Sequence, residues 1–529
     1  MASVEVMCLS TPTTLIHHKS KRIKYTGNEF MATSVAFHCF TQRSSFENLS
    51  TELVVLIFKQ LRDIDARSLA TARQLSRRFE AIVTPLKFER LRLNKRIIDP
   101  EAELYYPGAL QNVYLHTRHV EAGNNLNPQD IKRVLDRIQR LLSFKWLFVK
   151  SDFQHGLLPV SSDIISPRHI QADKTELYIV DLRSRDFYGD QYDTYLQGIP
   201  ACCLVSLKMA SPTSLLKDHL DPLKRLVLRA RHMHTFQYDD RGQGNRFSFI
   251  GNERLPAFED LTLRSYDWDH SADMVQKHWD FSKIRCLKLI DVPMFPFLTS
   301  ISFSDLRGLQ TLHIEDFSAH LPDKRQEATR SLYDLTRQIR ALHMLAIICH
   351  TNLFPVDGLL QHAASLRALS FRDYVGFDDE ERRCPTIAAE DLAQLSRTLT
   401  YLHTLELDFD ALCCDTATFM RVLCEFPHLE TLTLHTQTVL RPLEEVPAGI
   451  DRDYEAAMDT FETLVRGKKG TSWRSITINV GGWRRNMVRR VGAAWRELNR
   501  RGVYAERCFV MERGAEGRMV VKEEMVVES

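Results

Sequence analysis

No stretch of the 529-residue chain reaches the run of about eighteen apolar residues that a helix needs to cross a bilayer. Apolar runs such as 345–349 are strand-sized, and no membrane span is expected. Nor is there a surplus of one charge: Lys+Arg number 70 and Asp+Glu 68, for a net charge of +2. That balance excludes a polyanion binder working through bulk charge, and no nucleic-acid partner is expected. The eleven cysteines include no Cys-x-x-Cys pair at zinc spacing. Cys202 and Cys203 are adjacent, as are Cys413 and Cys414, and sequence neighbours rarely bridge each other. With no secretory signal in view, the cysteines read as small apolar residues of a reduced, intracellular protein, cytoplasmic or nuclear.

The signatures of common catalytic sites are missing as well. There is no Gly-x-Ser-x-Gly elbow, no His-Glu-x-x-His helix and no phosphate loop of the Gly-x-x-x-x-Gly-Lys type. Residues 467–471 have a phosphate loop's composition without its spacing, and read as a turn before a strand. His232 and His234 lack a third ligand nearby and read as surface residues. The expectation is therefore a non-enzyme with no catalytic residue, no cofactor and no metal.

What is present is an ordinary globular composition, 44% hydrophobic and 26% charged, which excludes wholesale disorder. The length suits about three domains, or one long repeat array plus a small module. Residues 1–45 are Ser/Thr-rich, carry a basic cluster at 17–24 and show no sustained period. They read as a disordered segment, with a targeting signal as the sharper alternative. Residues 46–93 follow a helical pattern. Leu49, Leu53, Ile57 and Leu61 recur every four residues, Leu56 broadens that face, and Ser50 or Thr51 is placed to cap it. Asp65 is placed to cap a second helix through Leu69 and Ala72. A third carries Leu75, Phe79 and Ile82 and is predicted to stop before Pro85. Three helices in so few residues make a very small core, which leans on a partner or on the next domain.

From Phe88 onward one pattern recurs: apolar, two residues, apolar, one residue, apolar. It reads Phe88-Leu91-Leu93, Leu110-Val113-Leu115, Phe144-Leu147-Val149, a shortened Leu177-Ile179, Leu204-Leu207-Met209 and Leu223-Leu226-Leu228. The series continues from Phe258-Leu261-Leu263 through copies centred on Leu287, Leu312, Leu345, Leu369, Leu405 and Leu432, to Trp473-Ile476-Ile478. The central residue recurs at intervals from 19 (Leu207 to Leu226) to 44 (Leu432 to Ile476). Alternation at the last two positions is a strand signature. Amphipathic stretches such as Leu332-Leu335-Ile339 and Leu392-Leu395-Leu399 precede many copies. Strand, turn and helix in repetition predict an α/β fold: a small three-helix module, then an irregular leucine-rich-repeat-like solenoid over 94–482 with inner parallel strands and outer helices. The Asn or Cys expected three residues after the last apolar position is absent; Tyr266, Val292, Phe317, His350, Tyr374, Asp410 and Gln437 stand there, so the repeats are degenerate.

Two departures from the period read as loops: the Gly/Asn-rich 239–253 and the charged 378–383. Residues 483–529 read as a basic amphipathic cap and tail. Trp483, Met487, Val491 and Trp495 make an apolar face among arginines, either closing the solenoid or offering a surface to an anionic partner. Residues 519–527 alternate weakly, as an edge strand or a frayed end.

The segment 46–82 resembles an F-box. Leu49, Glu52, Leu53, Ile57, Phe58, Leu61, Asp65 and the element Ser76-Arg77-Arg78-Phe79 match that family's pattern. Ser50 stands where the pattern has Pro, and Ala66 where it has Leu. Serine caps the helix that proline would have started, so the fold is expected to survive. An F-box followed by irregular leucine-rich repeats is similar to many fungal F-box proteins. The resemblance implies a receptor that docks onto the Skp adaptor of a cullin–RING ubiquitin ligase and holds a protein substrate on its repeats. By carry-over, Leu49, Ser50, Leu53, Ile57 and Leu61 would lie at or near the adaptor. The alternative is a scaffold protein whose F-box-like helices only cap the repeats. Period-2 geometry puts a candidate substrate face on Lys288, His313, Glu315, Arg372, Glu406, Asp408 and His435.

Overall fold

The computed structural model describes residues 46, 48–149, 164–171, 174–183, 191–210, 217–240, 244–315, 322–374, 385–411, 413–436, 451–480, 507–514 and 517–524. The expectations for 1–45, 378–383 and the arginine-flanked face from Trp483 to Trp495 lie outside these residues. The architecture is α/β, with strands paired mostly in parallel and helices in the connections. The chain divides into two compact units, 1–178 and 179–529.

The first unit opens with three helices, α1 (Thr51–Ile64), α2 (Ala66–Ala72) and α3 (Arg77–Phe88). Each starts on a side-chain cap: Ser50 accepts from the Leu53 N–H, Asp65 from Arg67 and Ser76 from Phe79. Their core is Val54, Phe58, Leu69, Ala72, Phe79, Val83 and Leu86, all buried. Phe46, Phe58 and Phe79 meet edge to face, with centroids 5.3–6.0 Å apart. Two expectations fail here. Leu75 lies in the turn before α3 and is exposed rather than on its apolar face. The third helix does not stop at Pro85 but runs on to Phe88. Proline forfeits one helical hydrogen bond there, and burial of Leu86 and Phe88 beyond it offsets the loss. Strands β1 (Arg90–Arg92), β2 (His119–Gly123) and β3 (Ser143–Leu147) then pair in parallel, aligning Leu91 with Val120 and Val120 with Phe144. A strand at Glu176–Leu182 (β4) carries the division between the units.

In the second unit, strands pair with their sequence neighbours: β5 (Leu204–Met209), β6 (Thr235–Asp239), β7 (Asp260–Arg264), β8 (Cys286–Ile290) and β9 (Thr311–Glu315). Then come β10 (Met344–Cys349), β11 (Ala368–Asp373), β12 (Thr404–Asp408), β13 (Thr431–Thr436) and β14 (Ser475–Val480). All these pairs are parallel, and the register stacks like on like. Leu261, Leu287, Leu312, Leu345, Leu369, Leu405, Leu432 and Ile476 form one buried row. Each such side chain contributes about 1.5–3 kcal/mol. The array ends in an antiparallel hairpin, β15 (Arg507–Arg513) and β16 (Met519–Glu524), so 519–524 is indeed a strand.

Three predicted strand copies are corrected. Leu110-Val113-Leu115 lies in the helix Pro107–His116, and Leu223-Leu226-Leu228 in the helix Lys217–Arg229. The spacing i, i+3 belongs equally to one face of a helix. The third leucine decides between them: Leu115 is 41% exposed and Leu228 is only half-buried. The true strands are β2, on Val120 and Ala122, and β6, on Phe236 and Tyr238. The third copy is out of register: β3 buries Phe144 and Trp146, while Val149 is exposed. The loop predicted at 239–253 is folded down where it is described. Asn245 N–H bonds the Asp240 carboxylate at 2.8 Å, and the Phe247 N–H bonds the Tyr266 hydroxyl at 2.8 Å.

The turn predicted at 467–471 is tight. Gly470 has φ +83°, and a Cβ there would stand 2.3 Å from the Pro427 carbonyl oxygen, which already accepts the Thr471 N–H at 2.8 Å. Gly470→Ala should therefore destabilise the protein by about 1–3 kcal/mol, read as a lower urea midpoint at unchanged slope.

Candidate interaction surfaces

The sequence of α1 carries more apolar residues than one helix face holds, and they divide into two sets. Val54 and Phe58 are buried, with Val55 and Leu61 packed beside them. Leu53, Leu56, Ile57 and Ile64 point elsewhere and are 49, 58, 41 and 82% exposed. At 100° per residue these four fall within about a third of the circumference, roughly 120° round from the buried set. Of the five residues assigned to an adaptor contact, Leu53 and Ile57 lie on this outer stripe. Leu49 and Leu61 serve the core, and Ser50 caps the helix. Leu56 and Ile64 join the stripe. The sequence signal for it is the unbroken apolar run 53–58, which no single amphipathic face explains. Arg78 fastens the start of the module: its guanidinium donates to the Leu49 carbonyl at 2.6 Å.

The candidate substrate face divides into two clusters in the second unit. On β8 and β9, Lys288 and His313 are register partners, and His313 Nε2 lies 2.5 Å from a Glu315 oxygen. β10 presents Ala346 at the matching position. On β11 to β13, Arg372 donates twice to one Asp408 oxygen at 3.2 Å, and its guanidinium stands 3.8 Å from Glu406. His435 bonds Glu406 at 2.6 Å through Nε2, while its Nδ1 faces the Asn479 amide at 3.4 Å. Burial holds His435 below its ordinary pKa. Burial would raise Glu406, but the His435 hydrogen bond and the nearby positive charge of Arg372 outweigh it and hold the carboxyl down at about 2.

Asp408 departs from the expected role. It is 4% exposed, and its second oxygen accepts the Asp373 backbone N–H at 2.7 Å, so it is a structural residue and not part of an open face. The physical reason is its place at the end of β12, where the chain turns into the interior. Asp373 repeats the device one strand earlier, accepting the Thr351 N–H at 2.7 Å. Tyr266, His350 and Tyr374, which follow the strands β7, β10 and β11, are buried as well.

Burial pushes the Cys203 thiol up to about 12 and the Cys286 and Cys414 thiols up to about 11, so all three are protonated at neutral pH. No disulfide joins any of the described cysteines. Among the described residues no group of three His, Cys, Asp or Glu converges as a metal site, and no helix is long and apolar enough to cross a membrane. No protein-family model matches the chain, and no curated protein matches it.

Arg372→Met should cost about 3–5 kcal/mol, because Asp408 would be left buried beside an apolar chain; chemical denaturation measures it. Acid should also destabilise the second unit. Burial lowers His435 and His362 and pulls His270 down to about 4, from an ordinary value of 6.5. Folded imidazoles then refuse protons that the unfolded chain accepts. Stability is full above pH 6.5 and falls as pH drops toward about 4. A melting temperature that rises on acidification through this window would contradict the assignment.

Proposed function

We propose that the protein is a substrate receptor of a cullin–RING ubiquitin ligase. In this reading residues 46–93 are an F-box that docks on a Skp-type adaptor, and the later strands are degenerate leucine-rich repeats that hold a protein substrate. The observation that carries it is the two-faced α1. A module with so small a core leaves four large aliphatic side chains in water on its first helix, and an apolar helix face of this kind suits a groove in a partner. The departures from the family pattern are compatible with the reading. Ser50 caps α1 where proline would stand, and Arg78 and Phe79 of the basic–aromatic element hold the helix start and fill the core. The parallel strand–helix succession from β5 to β14 supports the repeat reading. The substrate face we favour is Lys288, His313 and Glu315, with Glu406 and His435 beside it as a fixed hydrogen-bonded pair.

A second reading has a specific observation behind it. Arg62 at the end of α1 bonds Glu89, and Asp63 lies 3.7 Å from Arg90, so the helices are tied to the start of β1 as a cap would be. The readings part at Leu53 and Ile57, which a cap leaves idle. The adaptor should co-purify with the full-length wild type, and a Leu53→Asp/Ile57→Asp double variant should lose it with an unchanged melting temperature. Absence of the adaptor from the wild type at micromolar protein would overturn the receptor reading and leave a capped scaffold.

A further inference from the structure

Within the first unit, the ends of α1, α2 and α3 stand over the inner side of β1 to β3 and enclose a cavity of about 480 Å³. That volume falls within the range of roughly 300–1,000 Å³ typical of sites for drug-sized molecules. Its floor is aliphatic: Ala66, Leu69 and Leu86, from the helices. Its rim is charged. Arg62, Lys87, Arg90, Arg92 and Lys145 line it against two carboxylates, Asp63 and Glu121. Each of those carboxylates is shared. Glu121 lies 3.4 Å from Arg92 and 3.2 Å from Lys145, and Asp63 lies 3.3 Å from Arg62 and 3.7 Å from Arg90. Glu89 stands behind Arg62, and Glu176 takes the Tyr178 hydroxyl at 2.7 Å. Five cations against these four carboxylates still leave one net positive charge.

The distribution of that charge matters more than its sum. Glu121 sits at the base, 15% exposed, whereas Arg90, Arg92 and Lys145 are 60, 53 and 44% exposed along the opening. Burial holds His119 below its ordinary pKa, so it enters the wall as a neutral imidazole bonded to Ser143 at 2.8 Å. Ala66 brings only a methyl group to the floor.

We propose that this cavity binds a small amphipathic anion, its apolar body on the Ala66–Leu69–Leu86 floor and its acidic group between Arg90, Arg92 and Lys145. An aliphatic floor gives an inorganic ion nothing to bury. A cationic rim gives a neutral hydrocarbon no orientation. A carboxylate or phosphate ester on an aromatic or aliphatic body satisfies both, and the low-dielectric floor strengthens the ionic contacts. The site is independent of the receptor reading, since none of its lining residues belongs to the outer stripe of α1.

Titration calorimetry of the full-length chain tests it with four probes: phenyl phosphate, benzoate, inorganic phosphate and phenol. Saturable binding is expected for phenyl phosphate or benzoate, and which of the two is tighter identifies the acid. Phosphate and phenol should each bind about ten-fold more weakly or not at all. Arg90→Gln/Lys145→Gln should weaken the preferred probe by about ten-fold or more. Ala66→Leu should weaken it comparably by filling the floor, without lowering the melting temperature. No saturable binding by either organic anion, or binding that both variants leave unchanged, would overturn the proposal.

Discussion

Where a strand of the second unit ends, the chain turns into an apolar interior and takes backbone amides with it. Those amides need acceptors, and on the later strands aspartate supplies them. The Asp408 carboxylate holds the amide of Asp373, and the Asp373 carboxylate holds the amide and hydroxyl of Thr351. The chain leaving β10 is thus clamped from β11, and the end of β11 from β12. An unsatisfied buried amide would cost a few kcal/mol at every turn, enough to undo the gain from one leucine in the row beneath. The clamp brings a charge with it, and that charge needs its own counterweight. Arg372 provides it, and Glu406 and His435 extend the network across three strands. The placing of Asp373 and Asp408 therefore follows from backbone hydrogen bonding, before any ligand is considered.

The helical module obeys a different constraint. Three short helices cannot surround every large side chain that they carry. The phenylalanine triad and a handful of aliphatics fill the available core, and the remainder of α1 stays outside. Aliphatic side chains in water are individually unremarkable in a folded protein. Leu53, Leu56 and Ile57 lie together on neighbouring turns of α1, with Ile64 two turns further on past Gln60, and this grouping sets them apart from singly scattered exposed residues.

Much of the later array could be read from the sequence, because there one residue type repeats at one spacing. From Leu261 to Ile476 every predicted central residue lies in a strand and in register with its neighbours. Earlier the pattern misled. The spacing i, i+3 is common to both secondary structures, and Leu110 and Leu223 entered helices whose following strands are built on Val120, Ala122, Phe236 and Tyr238. The division of α1 into two faces was legible only as an excess of apolar residues. The role of Asp408 was not legible, because alternation places a side chain on a face without saying whether the chain above it has folded over. The cavity beside Ala66 was hidden because its lining comes from helices and strands far apart in the sequence, which only the fold brings together.

The hairpin of β15 and β16 reverses the direction in which the array could accept new material. A duplicated strand–helix unit arising between β7 and β14 meets parallel neighbours on both sides and can be absorbed without altering either. The same unit inserted after β14 would have to displace an antiparallel strand whose six register partners run the other way. Gain or loss of a strand–helix unit is thereby channelled to the interior of the array, away from the β14–β15 pairing.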